Sequence, residues 1–483
     1  MINRSAGVLL NISSLPGKYG IGDFGYEARS FVDFISGMGF SVWQTLPLCP
    51  VGGGNSPYSS ISAFALNPLY ISADLLVREG YISKEQAENA LYHGSPYSAD
   101  YPYAKRVKTE LLAEAYKKVD MEKLAEFIEE NIAWLPDYAH FCAGKEANGG
   151  AEFWDWINDI DTSRADYYCF EQFIAFSQWA ELKKYANEKG VSIFGDMPIY
   201  VSRDSADFYA APEQFQVDDA GRLTSVAGVP PDYFSADGQL WGNPLYDWEH
   251  MKKDGYSWWI NRIAHNLKFF DYLRIDHFRG FDRYWAVPAA AKTAKEGEWV
   301  KGPGMDLFEK VAEKLGSPNI IAEDLGTVDE SLKEFLEAVG YPGMKVMQFG
   351  FTTEDSDHAP YKYLPNCVAY TGTHDNDTML GWLWAIPMEE KLRLLSYCRY
   401  HGIKWGEGGP KSEVIREIIS TLWQTAAGMV IIPVQDMCGF GTDTRLNIPG
   451  KAEGNWEFRI TQEALDTIDK EFFVKTNKIY GRI

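Results

Sequence analysis

The chain is poor in cysteine and histidine, and this scarcity excludes several kinds of site. Six cysteines occur in 483 residues, and no two of them form a CxxC pair. A disulfide scaffold or a zinc ribbon is therefore not expected. The eight histidines form no HxxxH pattern, so the usual helical zinc motif is missing as well.

Positive charge and long apolar runs are also scarce. The chain carries 46 Lys and Arg against 68 Asp and Glu, a net charge of −22, and has no basic tract. Nucleic acid and anionic membranes are not expected partners, because both bind clustered Lys and Arg. No apolar run is long enough to span a membrane, and the start "MINRSAGVLLNISSLPG" is too polar for a secretion signal. We therefore expect a cytoplasmic protein.

Aromatic residues, in contrast, are abundant. They make up 15% of the chain, with 16 Trp and 28 Tyr. Core packing accounts for most of them, but many stand beside Gly, Pro, Asn or Asp, as in "WGNPLYDW" (241–248) and "NSPYSS" (55–60). Rings in such loops suit flat, hydroxylated ligands such as sugars, which have an apolar face and a polar rim.

Short, continuous apolar segments recur along the chain, each ending in a polar residue and turn residues. This pattern is typical of strands that are buried on both faces. Helical patterns lie between several of them, for example over 329–340 and 412–428. Eight strand–helix units predict an α/β protein with a (β/α)8 TIM barrel, and a doubly wound open sheet is the alternative. The eight segments are 7–17, 40–50, 191–201, 272–280, 319–326, 344–351, 367–375 and 429–436.

The spacing of these segments is uneven, which predicts insertions into one catalytic barrel of residues 1–483. Residues 73–190 read as a mostly helical insertion. Residues 202–270 are rich in Gly, Pro, Asp and aromatics, and read as a loop-rich insertion over the active-site cleft. The short tail after the last segment leaves little room for a further domain, so we expect no C-terminal β-sandwich domain.

One short motif, "GIGDFG" (20–25), matches the G-x-G-x-x-G pattern of dinucleotide-binding proteins. It does not directly end a strand, and no helix of the required type opens on it, so a sharp turn is the better interpretation. We therefore expect no nucleotide, and no cofactor of any other kind.

Acidic residues end five of the eight predicted strands. In a barrel, catalytic groups lie at these carboxyl ends, so the acids can gather around one mouth. Helix capping is the alternative, and it is the better reading for Asp324 or Asp436 taken alone. The six acids are Asp196, Asp276, Glu323, Asp324, Asp375 and Asp436.

Two chemistries use such a cluster: metal-assisted catalysis and glycoside cleavage by a carboxylate pair. Only His277 and His374 lie near the predicted mouth. The stretch "THDNDT" (373–378) resembles a calcium loop, but it lacks the required Gly and distal Glu. We therefore favour the carboxylate pair and expect no metal.

The pair needs one ionised and one protonated carboxyl group near neutral pH. Arg274 and Asp276 are two positions apart, so their side chains share one side of a strand and the arginine favours the charged aspartate. A purely structural ion pair is the alternative. Glu323 follows the apolar run "NIIA" and has no basic neighbour in sequence, which suits a proton donor.

Three of the stretches that carry these acids resemble the signatures of the α-amylase superfamily: "YLRIDHFRGF", "IIAEDLG" and "TGTHDNDT". The full set of motifs is similar to glycoside hydrolase family 77, the 4-α-glucanotransferases or amylomaltases. Further stretches of the resemblance are "SPYSSISAFALNPLYIS" (56–72), "GDMPIYVSRDSAD" (195–207), "GVPPDYFSADGQLWGNPLYDW" (228–248) and "NIPGKAEGNWEFR" (447–459).

The resemblance implies a role for each matching residue. Asp276 matches the family's nucleophile, Glu323 its general acid/base and Asp375 the third carboxylate, which binds hydroxyls of the reacting sugar. Further matches are expected to bind substrate: Tyr58, Asp196, Asp232, Gln239, Trp241, Arg274 and His374.

The resemblance also implies the reaction: transfer of an α-1,4-glucan segment to the 4-hydroxyl of another glucan through a covalent glucosyl-enzyme. An α-amylase-like hydrolase on the same fold is the alternative, because the same triad serves amylases. A catalytically dead glucan-binding barrel is a third possibility, and the presence of all three carboxylates argues against it. The oligomeric state is not predicted.

Overall fold

A computed structural model describes residues 2–231, 236–326, 329–451 and 453–483. In chain order the strands in these ranges are β1 (Ser5–Leu9), β2 (Val42–Gln44), β3 (Ser192–Met197), β4 (Ser225–Val229), β5 (Gln239–Pro244), β6 (Tyr272–Ile275), β7 (Arg283–Pro288), β8 (Glu298–Lys301), β9 (Ile320–Ala322), β10 (Gly343–Val346), β11 (Cys367–Tyr370) and β12 (Met429–Pro433).

Eight of these strands form one parallel sheet in the order β10-β11-β12-β1-β2-β3-β6-β9. The two ends of this order meet, because the Ala322 amide at the end of β9 donates to the Pro342 carbonyl just before β10 at 2.8 Å. Each of the eight segments predicted from the sequence overlaps one of these strands, and six of the segments contain the whole strand. The predicted (β/α)8 barrel is therefore confirmed.

Alternation along the strands explains why their sequences are apolar throughout. In β1, Leu9 packs with Val42, Phe194 and Ile431 in one buried cluster inside the barrel. Its neighbour Val8 belongs to the second cluster, which joins the outer face of the sheet to the helices. Both faces are dry, so hydrophobic side chains stabilise the strand at every position.

The α-helices of the same ranges surround the barrel and fill the insertion before β3. They are α1 (Tyr26–Ser36), α2 (Ala73–Arg78), α3 (Lys84–Asn89), α4 (Tyr101–Tyr116), α5 (Met121–Glu130), α6 (Leu135–Ala147), α7 (Ala165–Glu188), α8 (Ala206–Ala210), α9 (Trp248–Lys253), α10 (Ser257–Phe269), α11 (Met305–Leu315), α12 (Glu330–Val339), α13 (Met379–Ala385), α14 (Met388–Tyr397), α15 (Glu413–Gln424), α16 (Val434–Cys438), α17 (Gln462–Thr467) and α18 (Lys470–Ile479).

The segment 202–270 is more ordered than its sequence suggests. It contributes β4 and β5 to a four-stranded antiparallel sheet of order β5-β4-β7-β8, a feature that the loop-rich interpretation did not include. The strand β5, "QLWGNP", has three exposed residues and a central glycine, so it lacks the alternation that marks a strand. Pairing with β4, and not the local pattern, orders it.

No helix in the described part of the chain is both long enough and apolar enough to cross a membrane.

Candidate active site

Four of the predicted acids meet where the carboxyl ends of the barrel strands converge. Asp196 is the penultimate residue of β3, Asp276 directly follows β6, Glu323 directly follows β9, and Asp375 lies on the loop after β11. Parallel strands bring such positions to one end of a barrel, although they are far apart in sequence.

Arg274 is the centre of the charged cluster. Its Nη1 donates to both carboxylate oxygens of Asp196 at 2.7 and 2.6 Å, and its Nη2 donates to Oδ1 of Asp276 at 2.6 Å. Burial lowers the pKa of this guanidinium, but the charges of Asp196 and Asp276 outweigh burial and hold the pKa well above its usual value. The two carboxylates satisfy a charge that would otherwise be costly to bury.

Glu323 occupies a different environment, although it lies at the same mouth. Its two carboxyl oxygens accept hydrogen bonds from the backbone amides of His277 at 2.8 Å and Leu325 at 2.7 Å. Burial, and then the negative charge of Asp276, raise the pKa of Glu323 to about 8, while Arg274 acts in the opposite direction. The carboxyl group is therefore largely protonated at neutral pH, as a proton donor requires.

His277 has an unusual backbone, with a φ of 49°. A residue other than glycine in this left-handed region is strained and is often found at functional sites. Here the conformation follows directly after Asp276 and points the His277 amide at Glu323. One short turn thus fixes the relative position of the two carboxyl groups.

Tyr58 and His374 form an aromatic wall beside this cluster. The Tyr58 hydroxyl donates to Oδ2 of Asp196 at 2.7 Å, and its ring stacks on the His374 imidazole with centroids 5.1 Å apart. Trp456 packs against both rings at 5.8 and 5.9 Å. Trp456 also has a left-handed backbone, with a φ of 67°, and the Tyr101 hydroxyl of α4 donates to its carbonyl.

Asp375 is the most exposed of the three predicted catalytic carboxylates, with 46% of its side chain open to solvent. Its Oδ1 accepts a hydrogen bond from Asn447 Nδ2 at 2.6 Å, and its carbonyl accepts one from Arg445 Nη2 at 2.6 Å. His374 Nε2 lies 3.4 Å from the same Oδ1. The sequence analysis gave no role to Asn447, Arg445 or Trp456, although Asn447 and Trp456 lie in the family-like stretch 447–459.

Gln239 and Trp241 lie on the β3 and β6 side of the mouth. The Trp241 indole N–H donates to Gln239 Oε1 at 3.1 Å, and the indole meets the His277 imidazole edge to face at 4.9 Å. Burial lowers the pKa of His277 to about 4, so this imidazole is neutral at pH 7. Asp232, which was predicted to belong to the same loop, lies outside the described residues.

Asp324 and Asp436 end strands but do not join the cluster. Asp324 Oδ1 accepts from the Met344 amide of β10 at 2.7 Å, so its bond is to the sheet rather than to a helix end. Asp436 accepts from the Thr371 hydroxyl and from the amide of Met379, the first residue of α13. Asp436 lies inside α16 and is not an N-cap, because the N-cap of α13 is Thr378, but it does accept from the first amide of α13.

The described ranges contain no group of three His, Cys, Asp or Glu side chains arranged to hold a metal ion. Arg274 lies between two of the carboxylates at the mouth, those of Asp196 and Asp276.

Comparison with known proteins gives consistent matches along the chain. A family model described as 4-alpha-glucanotransferase matches residues 10–465. The 4-alpha-glucanotransferase of Synechocystis sp. is 41% identical over 511 aligned residues, covering 99% of this chain and 98% of the relative. The enzyme of the same name from Aquifex aeolicus is 41% identical, with 99% of each chain covered.

Solved structures agree with the sequence matches. Amylomaltase from Streptococcus agalactiae in complex with acarbose superposes with a TM-score of 0.93 at 39% identity, covering 99% of both chains. Amylomaltase from Corynebacterium glutamicum has the same fold, with a TM-score of 0.80 at 20% identity over 99% of this chain and 74% of that one.

Proposed function

The chain belongs to the 4-alpha-glucanotransferase family, and we propose that Asp276, Glu323 and Asp375 carry out its glucan transfer by a two-step retaining reaction. The observation that carries this assignment is the contrast between two neighbouring carboxyl groups. Asp276 is paired with Arg274, whereas Glu323 has a pKa raised to about 8. One is suited to attack as an anion, and the other to donate a proton.

In the first step, Asp276 attacks the anomeric carbon of an α-1,4-glucan. Arg274 holds Oδ1, and 30% of the Asp276 side chain is exposed, which leaves Oδ2 for the attack. Glu323 gives its proton to the leaving glycosidic oxygen, and a covalent β-glucosyl ester forms. Retention requires the two carboxyl groups to lie roughly 5–5.5 Å apart.

In the second step, the 4-hydroxyl of another glucan enters as acceptor. Glu323, now ionised, takes the proton of this hydroxyl while the oxygen attacks the glucosyl ester, and Asp276 leaves as the carboxylate. A new α-1,4 bond forms with the original configuration. The proton that Glu323 donated is thereby restored, and the enzyme returns to its starting state.

Asp375, His374 and Tyr58 are proposed to hold the reacting sugar. The half-exposed Asp375 carboxylate can accept hydrogen bonds from sugar hydroxyls. Asn447 and Arg445 hold its loop in place through hydrogen bonds to Oδ1 and to the carbonyl of Asp375. The Tyr58 ring offers an apolar platform, and the hydrogen bond from its hydroxyl to Asp196 fixes the orientation of the ring. Asp196 acts through Tyr58 and Arg274 rather than by direct contact with sugar.

The choice of a sugar over water as acceptor is assigned to the segment that carries Gln239 and Trp241. An indole beside His277 narrows the approach to the glucosyl ester and offers a stacking surface to an acceptor sugar. Asp232 is proposed for the same role from the sequence alone. A cytoplasmic location likewise remains a prediction from the sequence.

The test is the product pattern from maltotriose. We expect glucose and a ladder of longer maltodextrins, with almost no increase in total reducing ends, because each bond broken is replaced by a bond formed. If reducing ends rise with every bond broken, the enzyme is a hydrolase on this fold and the transfer assignment is wrong. If no products form and maltodextrins still bind, the barrel is a binding protein.

A further inference from the structure

Trp384 is a half-exposed indole at the rim of the barrel mouth, on α13. Half of its surface is open to solvent. Its Nε1 donates to the Gly406 carbonyl at 3.1 Å. The opposite edge of the ring lies so close to Gly441 that a Cβ there would stand 2.6 Å from ring carbon Cζ3. The indole is therefore held by Gly406 on one edge and by Gly441 on the other, and half of it remains open to solvent.

The position of Trp384 relates it to the catalytic loop. Helix α13 begins directly after residues 371–378, so Trp384 lies roughly 9 Å along the helix from Thr378. The Thr442 hydroxyl, next to Gly441, donates to Asp377 Oδ2 at 2.9 Å and ties this rim to the loop of Asp375.

This rim follows β11, which lies opposite the strands beside Trp241 in the barrel. In the ring of eight strands, β11 stands four strands from β3 in either direction, and Trp241 lies on the β3 and β6 side. A glucan that ran from Trp241 through the reacting position and straight across the mouth would therefore leave it on the side of β11 and Trp384.

A carboxylate lies beside the exposed ring. Asp443 Oδ1 stands 3.3 Å from the position that a Cβ on Gly441 would take, so the acid and the indole border the same glycine. An aromatic face beside a hydrogen-bond acceptor matches a pyranose ring, with its apolar face and its hydroxyl rim. Gly441 keeps this site open, because any side chain there would push the indole away.

We propose that Trp384, with Asp443, binds an outer glucose unit of long α-1,4-glucan donors, beyond the sugars held by Tyr58 and Asp375. This inference rests on the proposed function. Such an outer site distinguishes donors by length, since only a chain long enough to reach the rim stacks on the indole. Short donors react without it.

The experiment measures kcat/KM with maltotriose and with maltoheptaose for wild type, Trp384→Ala, Trp384→Phe and Leu392→Ala. Leu392 is a matched control, because it is 55% exposed on α14 and has no proposed role. We expect Trp384→Ala to lower the maltoheptaose value about fivefold and to leave the maltotriose value unchanged. Trp384→Phe retains an aromatic ring and should keep most of the preference for maltoheptaose over maltotriose. Leu392→Ala should behave as wild type with both donors.

A binding measurement gives a second readout that does not depend on turnover. In the Asp276→Asn enzyme, titration calorimetry with maltoheptaose should show a Kd that rises about fivefold when Trp384→Ala is added. An unchanged length preference and an unchanged Kd would overturn the inference, as would an equal loss with both donors in both Trp384 variants. Absence of transfer in the wild-type enzyme would instead refute the proposed function.

Discussion

The two sides of the barrel mouth are built differently. On the side of β3, β6 and β9, the charged groups Arg274 and Asp196 and the carboxyl of Glu323 are all buried. On the side of β11 and β12, Asp375 is half exposed and is held by Asn447 from the C-terminal segment. Burial tunes charge and protonation, so it suits the groups that break bonds. Exposure suits a carboxylate that must meet a new sugar in every cycle.

The largest expected effect comes from Asp276, the partly exposed partner of the buried Arg274. Asp276→Asn keeps the shape and can still accept from Arg274, but an amide is a poor nucleophile. We expect kcat for maltotriose disproportionation to fall by about 10³-fold or more. Calorimetry with maltoheptaose should show that binding is kept. Normal turnover in this variant would refute the nucleophile assignment.

The pH dependence tests the same side without a mutation. Glu323 must be protonated in the first step, and its pKa is about 8 because of burial and then the charge of Asp276. We expect kcat/KM to fall about tenfold per pH unit above about pH 8. A profile from pH 6 to 10 measures it. An alkaline fall that begins below pH 7 would contradict the assignment.

The raised pKa of Glu323 also makes the stability of the folded protein depend on pH. The pKa of Glu323 is raised from its ordinary value of 4.5, so the folded protein holds this proton where the unfolded chain loses it. The unfolding free energy should therefore fall as the pH rises from 4.5 towards 8. Glu323→Gln should remove this part of the dependence in denaturant titrations.

A smaller effect is expected on the exposed side. Asn447→Ala removes the hydrogen bond to Asp375 Oδ1 and leaves the carboxylate free to turn. Because hydrogen bonds to charged groups are among the stronger ones, we expect kcat/KM to fall about tenfold. Asn158→Ala, on the surface of the helical insertion, serves as control. Equal activity of both variants would mean that Asp375 needs no support.

The smallest effect should come from the acid beside Glu323. Asp324→Asn keeps an oxygen that accepts from the Met344 amide, and Asp324 has no part in the proposed chemistry. We expect kcat/KM within about twofold of wild type, since the bond to the sheet is preserved. The variant is the matched control for Asp276→Asn, and a large loss would place Asp324 in the catalytic cluster.

Several features of the molecule could be predicted because their signal is local. The barrel strands are apolar at every position, since both of their faces are dry, and this pattern stands out in the sequence. The small antiparallel sheet gave no such signal, because β5 is exposed and contains a glycine. Strand β5 is ordered by its pairing with β4, and the sequence does not show which strands pair.

In the active site, too, some features could be predicted from the sequence and others could not. Acids at strand ends, and the Arg274–Asp276 spacing, are visible in sequence because a barrel collects strand ends. The second partner of Arg274 is not visible, because Asp196 lies 78 positions away and faces it only through the β3–β6 register. Trp456 and Asn447 reach the mouth from the tail by the same kind of long-range packing.

The sequence by itself determined the barrel, the family resemblance and the set of carboxyl groups, because these depend on residue types in short stretches. Only the tertiary structure decided their chemical states. Contacts between distant segments bury Glu323 beside Asp276 and set the left-handed turn at His277. Such contacts also hold the indole of Trp384 against Gly441. Protonation and orientation follow from surroundings, and the surroundings exist only once the chain has folded.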